Sequence, residues 1–170
     1  MEKIKSQKNI PLLNKTLLFS LVLFIVLTSS NLKVNQIEIP SGFPKITVPE
    51  DNPLSEAKIE LGKKLFFEKL LSRDSSISCA TCHNPKYAFT DGLLKAKGIK
   101  EREATRNTPT LTNIAYNTSF LRDGVNPSLE AQVIVPIHEK NEFDFHILLA
   151  AERLKKKKEY VDLSLAAFGE

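Results

Sequence analysis

The chain has 170 residues, with 24 Lys and Arg against 20 Asp and Glu, two cysteines, one methionine and no tryptophan. That length leaves room for one modest domain once the N-terminus is set aside. Four N-terminal lysines and Glu2 account for +3 of the formal net charge of +4. The basicity therefore argues for membrane targeting and against nucleic-acid binding.

In chain order, Lys3, Lys5, Lys8 and Lys15 form a basic n-region, followed by an uncharged apolar run from Thr16 to Leu27 and the polar patch Thr28-Ser29-Ser30-Asn31. The run is shorter than the about 20 apolar residues a membrane span needs. Residues 1–30 thus read as a signal peptide or, lacking an A-x-A cleavage site, as a retained N-terminal anchor; both predict a periplasmic protein. Residues 31–53 carry Pro40, Pro44, Pro49 and Pro53 and read as an extended linker. A first helix is predicted from Ser55 to Phe67, with Ser55 as N-cap. The polar turn Ser72-Arg73-Asp74-Ser75-Ser76 leads into the cysteines, and Asn84 to Thr108 reads as loop, rich in Gly, Pro, Asn and Thr. Short helices are predicted near Pro109–Tyr116 and near Ser128–Val135, the latter stopped by Pro136. Two more are predicted over Phe145–Phe168, joined around Lys155 to Lys158. No period-two alternation and no repeat is present, so the class is mainly α. With so much loop, the core would be thin unless a cofactor supplied part of it.

The motif Cys79-Ala80-Thr81-Cys82-His83 has the spacing of c-type haem attachment. Thioethers from Cys79 and Cys82 would fix two edges of a porphyrin, and His83 would lie under the iron as proximal ligand. A disulfide between such close neighbours closes too small a loop to constrain the unfolded chain much. A thioredoxin-like pair would want a βαβ context. A structural zinc site would want a fourth ligand, which only His138 or His146 could supply. The only methionine is Met1, so a His/Met iron of the usual electron-carrier type is not available from this chain. His138 or His146, a weak ligand such as Lys or water, or an open position remains for the sixth coordination site.

Around the motif, several segments together resemble the bacterial di-haem cytochrome c peroxidase family, which includes the methylamine-utilisation di-haem enzymes. They are Leu61-Gly62-Lys63-Lys64-Leu65-Phe66-Phe67, Leu71-Ser72-Arg73-Asp74, Ala88-Phe89-Thr90-Asp91-Gly92, Arg106-Asn107-Thr108-Pro109-Thr110-Leu111, Asp123-Gly124, Ser128-Leu129-Glu130-Ala131-Gln132 and Pro136-Ile137. The resemblance implies that residues 54–170 form an N-terminal, peroxidatic haem domain of the cytochrome c kind. It implies one covalent haem c on Cys79, Cys82 and His83, with Gln132 and Glu142 positioning hydrogen peroxide and moving its proton. It matches Asn107 to a residue that helps hold calcium between two domains. Arg106, next to it, is a candidate for a haem propionate by charge. Electrons would come from a small donor protein, a cytochrome c or cupredoxin, through a C-terminal haem domain that this chain does not include. The chain is therefore expected to be truncated. The rival expectations are a mono-haem electron-transfer cytochrome without catalysis, and an inactive fragment.

Two departures stand out. Arg122 occupies a position that is commonly tryptophan in the family. Lys97-Gly98-Ile99-Lys100 offers no histidine where many relatives cap the peroxidatic iron, which predicts an iron less firmly capped at rest.

Overall fold

The computed structural model describes residues 37–169. The leader and the start of the linker lie outside the described residues. Residues 37–53 follow a course without helix or strand, broken only by turns, because four prolines fix φ and remove backbone donors.

Helix α1 spans Glu56–Phe66, with the Ser55 side chain accepting from Lys58 N–H. Glu56 in the first turn and Lys63 and Lys64 in the last suit the helix dipole. The single-turn α2 covers Cys79–Cys82. Helices α3, α4 and α5 follow at Leu129–His138, Ile147–Lys155 and Lys158–Phe168. Helix α1 packs on α5. There Lys64 Nζ lies 2.5 Å from the Glu159 carboxylate, Tyr160 donates its hydroxyl to Glu68, and the Lys58 ammonium sits 5.1 Å from the centre of the Phe168 ring. Among the described residues, β structure is limited to the isolated bridges Asn84–Thr90, Lys97–Glu103 and Phe120–Asn126. The mainly α class and the helices at both ends of the domain agree with the sequence pattern.

Two expectations require correction, and a third holds with added detail. Pro136 does not stop α3, which continues to His138. The proline removes one donor near the helix end, and the following loop folds back so that Phe143 and Phe145 N–H groups bond the carbonyls of Pro136 and Ile137. Those last-turn carbonyls would otherwise be unpaired. The helix expected near Pro109–Tyr116 shrinks to the 3₁₀ turn Ile114–Tyr116, since Asn113 before it takes a left-handed φ of 59°. Asn84–Thr108 is loop, yet an ordered one. It carries 3₁₀ turns at Pro85–Tyr87 and Ile99–Glu101, and two of the three bridges.

The core lies beneath the cysteine motif. Leu71, Ile77, Ile99, Phe143 and Ala150 form one buried cluster, with Leu65, Cys79, Phe145 and Leu154 packed against it. Truncating a large member of such a cluster costs about 2–5 kcal/mol. Arg153 of α4 ties the entry to the motif: its guanidinium donates to the carbonyls of Leu70, Ser72 and Arg73 at 3.2, 2.7 and 2.8 Å and lies 3.9 Å from the centre of the Phe145 ring. Asp144 performs a similar task from the next loop, pairing with Arg73 at 3.1 Å and Arg102 at 3.0 Å. Hydrogen bonds from these two arginines hold its carboxyl below the usual range.

Candidate active site

The motif's local geometry follows from its polar residues. Ser78 N–H donates to the Thr81 hydroxyl oxygen at 3.0 Å, Thr81 N–H donates to the Ser78 carbonyl at 3.0 Å, and His83 N–H closes the turn on the Cys79 carbonyl at 2.8 Å. The imidazole of His83 bonds the Phe89 carbonyl through Nδ1 at 3.0 Å. A carbonyl can only accept, so Nδ1 carries the proton and the Nε2 lone pair is left for a metal. Ala88 and Phe89 pay for that carbonyl's placement with left-handed φ angles of 53° and 61°, each costing of order 1–3 kcal/mol for a residue with a side chain.

Both cysteines are free, half-buried thiols. Burial raises the Cys79 thiol pKa. Burial, then the charges of Asp91 and Glu142, push the Cys82 thiol up to about 11. A catalytic redox pair needs a lowered thiol pKa, so these values weigh against that chemistry.

The structure brings Glu142 to the motif across sixty residues of sequence. The strip Lys97-Gly98-Ile99 makes the connection. The Lys97 carbonyl lies 3.7 Å from Cys82 Sγ, and Ile99 N–H donates to the Glu142 carbonyl at 3.0 Å. Gly98 passes so close beneath the Asn141–Glu142 peptide that a Cβ there would meet the Asn141 carbonyl oxygen at 2.0 Å. The Glu142 carboxyl is half-buried, and its pKa is raised by burial first and the neighbouring Glu139 second. It can hold a proton at a pH where an exposed carboxyl would have lost it.

Gln132 sits in the second turn of α3, and its side-chain oxygen accepts from Asn126 Nδ2 at 2.7 Å. Arg106 pairs with Asp123 at 2.9 Å on the exposed surface. The Asn107 side-chain oxygen accepts from Arg122. A guanidinium on that oxygen does not fit a calcium ligand, and among the described residues no three His, Cys, Asp or Glu cluster as a metal site. The rings of His138 and His146 stack on each other 5.0 Å apart, and each accepts a backbone N–H of α4's first turn. His138 Nε2 is thereby spent on capping. The carbonyl of Phe89, the role of Gly98 and the partner of Gln132 left no signal in the sequence, because each depends on which segments meet in space.

The donor set fits a covalent haem: two thiols on one helical turn and an imidazole in the correct tautomer. Phe89, Val133, Ile134 and Val135 also leave apolar surface exposed on segments after the motif, which a porphyrin could cover. Fold and motif together define a haem domain of the cytochrome c class. A family model described as di-haem cytochrome c peroxidase matches residues 56–170, and the chain belongs to that family. It is 46% identical over 121 residues to methylamine utilization protein MauG of Methylorubrum extorquens, covering 71% of this chain and 34% of that protein. With cytochrome c551 peroxidase of Pseudomonas aeruginosa it shares 36% identity over 124 residues, covering 73% of this chain and 36% of the relative. Among solved structures, a MauG-like protein associated with microbial copper homeostasis aligns with a TM-score of 0.71 and 27% identity over 79% of this chain and 40% of its own. The chain thus spans about a third of the length of these curated relatives.

Proposed function

We propose that residues 54–170 form the peroxide-reducing haem domain of an exported c-type haem peroxidase. Cys79 and Cys82 hold the haem by thioethers, and His83 Nε2 holds its iron. Bound there, haem supplies the iron centre at which the O–O bond of hydrogen peroxide is reduced. The protein's own residues manage protons and position. Glu142 accepts a proton from the near oxygen of peroxide and returns it to the departing oxygen, a task suited to a carboxyl whose pKa burial has raised. Gln132 steadies the peroxide by a side-chain hydrogen bond. Arg106 keeps guanidinium N–H groups beyond the one spent on Asp123 and could reach a propionate. Two electrons and two protons convert each peroxide to two waters. We assign the electrons to a small donor protein, a cytochrome c or cupredoxin, acting through a second haem domain. The basic leader and its apolar run support export to the periplasm, as a signal peptide or an anchor.

The single observation that carries this reading is the convergence of Cys82 and Glu142. One strip of chain touches both: the Lys97 carbonyl lies 3.7 Å from Cys82 Sγ, and Ile99 N–H, two residues on, donates to the Glu142 carbonyl at 3.0 Å. The test is Glu142→Ala in the haem-loaded protein, reduced and then mixed with hydrogen peroxide. The expected result is oxidation slowed by about 10²–10⁴-fold with covalent haem retained. An unchanged rate removes Glu142 from its role, and a wild-type haem inert to peroxide would favour an electron carrier instead.

A further inference from the structure

The Phe89 carbonyl that receives His83 Nδ1–H stands in a backbone that its own residues do not favour. Ala88 and Phe89 take left-handed φ in succession, 53° and 61°, and such conformations persist only where surrounding contacts over-determine them. Two sets of contacts do so. The local set is Phe89 N–H on the Asn84 carbonyl at 2.9 Å and Thr90 N–H on the Tyr87 carbonyl at 3.2 Å. The second set comes from residues 108–110. Thr90 donates its hydroxyl to the Thr108 carbonyl at 2.9 Å, the Thr108 hydroxyl donates to Asp91 Oδ2 at 2.9 Å, and the Thr110 hydroxyl donates to the Ala88 carbonyl. The other Asp91 oxygen accepts from Leu93 N–H at 3.0 Å. A hydroxyl facing a carbonyl oxygen can only donate, so the direction of the Thr90 and Thr110 bonds is fixed by their partners. Thr108 is the buried member of the set, only 5% exposed. Its carbonyl and its side chain grip the two residues that follow Phe89. Turning the Phe89–Thr90 peptide away from His83 would break the Thr90 N–H bond and pull Thr90 against its bond to Thr108.

We propose that Thr108 is a positioning residue for the proximal side of the haem: by holding Thr90 and Asp91 it keeps the Phe89 carbonyl on His83 Nδ1, and so sets how strongly His83 donates to the iron. The inference rests on His83 as the iron ligand, as assigned under the proposed function, and needs no peroxide chemistry. A carbonyl on Nδ1–H raises the basicity of a metal-bound imidazole, which strengthens the iron–imidazole bond and favours ferric iron. The probe is the iron–histidine stretching band in resonance Raman spectra of the ferrous, haem-loaded protein. It is recorded just after light expels bound carbon monoxide, when His83 is the only axial ligand. Thr108→Val removes the hydroxyl and keeps the shape of the side chain; its band should move to lower frequency and its midpoint potential upward. Thr108→Ser, which keeps the hydroxyl, should stay with wild type. Thr90→Val frees the Thr108 carbonyl and should shift both readings in the same direction; it carries the test if Thr108→Val does not retain haem. Wild-type frequency and potential in Thr108→Val, or in Thr90→Val where it stands in, overturn the role of Thr108. So does a shift in Thr108→Ser as large as in Thr108→Val, because shape and not the hydroxyl would then be responsible. A wild-type protein without the band refutes His83 as ligand, and the role of Thr108 falls with it. A haem inert to peroxide that still shows the expected shifts supports Thr108 while removing the proposed reaction.

Discussion

The helical flank and the loop region after the motif are stabilised by different means. In the flank, α1, α4 and α5 bury each other's apolar faces and close with charged pairs such as Lys64–Glu159. Local propensity, capping and packing agree there. Between Asn84 and Ser128 the chain forms single 3₁₀ turns and isolated bridges and accepts left-handed φ at Ala88, Phe89, Lys100, Glu101, Asn113 and Leu121. Exposed Leu93, Leu94 and Val125 add apolar surface that the chain itself does not cover. In the flank α1 packs on α5, while Ala150 and Leu154 of α4 join the cluster that Ile99 and Phe143 complete. The loops spend conformational strain to aim groups such as the Phe89 carbonyl, and they rely on the shared cluster around Ile99 and Phe143, with haem as the expected second source of order.

The most severe challenge to this comparison is to prevent haem attachment with Cys79→Ser and Cys82→Ser together. Hydrogen exchange should then show residues 84–128 losing protection while α1, α4 and α5 keep most of theirs. Equal loss throughout would mean that the two regions form one cooperative unit.

A finer challenge targets the junction. Gly98→Ala places a methyl group against the Asn141 carbonyl and must push the Glu142 peptide away. Peroxide reduction should fall at least about tenfold, since a displacement near 1 Å can cost that much or more, while the haem absorption spectrum is kept. A normal rate would show that Glu142 does not depend on this strip.

The smallest expected effect is electrostatic. Burial raises the Glu142 pKa, so folding disfavours its charged form. Its neutral form contributes stability below the ordinary glutamate value of about 4.3, and this contribution is lost as pH rises through the raised value. Glu142→Gln should therefore match wild type in denaturant unfolding at low pH and become the more stable protein toward neutrality. A difference independent of pH would contradict the assigned burial.

Much of the flank was legible in the sequence. The Ser55 cap and the apolar spacing of α1, α4 and α5 are local signals, and the structure meets them within one or two residues. Pro136 misled because the loss of one backbone donor near a helix end is offset by bonds from Phe143 and Phe145, some seven to eight residues away. The Arg106–Asp123 and Arg122–Asn107 contacts likewise lie beyond any local pattern.

By itself, the sequence determined the mainly α class, the spacing of Cys79, Cys82 and His83, and, through the ordered motifs around them, the family. These depend on short-range periodicity and on the fixed reach of one helical turn. Only the tertiary structure decided which His83 nitrogen is free, that a glycine at 98 lets Glu142 approach Cys82, and that the Asn126 side chain meets Gln132. Each of those depends on a backbone carbonyl, a missing Cβ or a side-chain amide contributed by another segment, and such approaches exist only once the chain has folded.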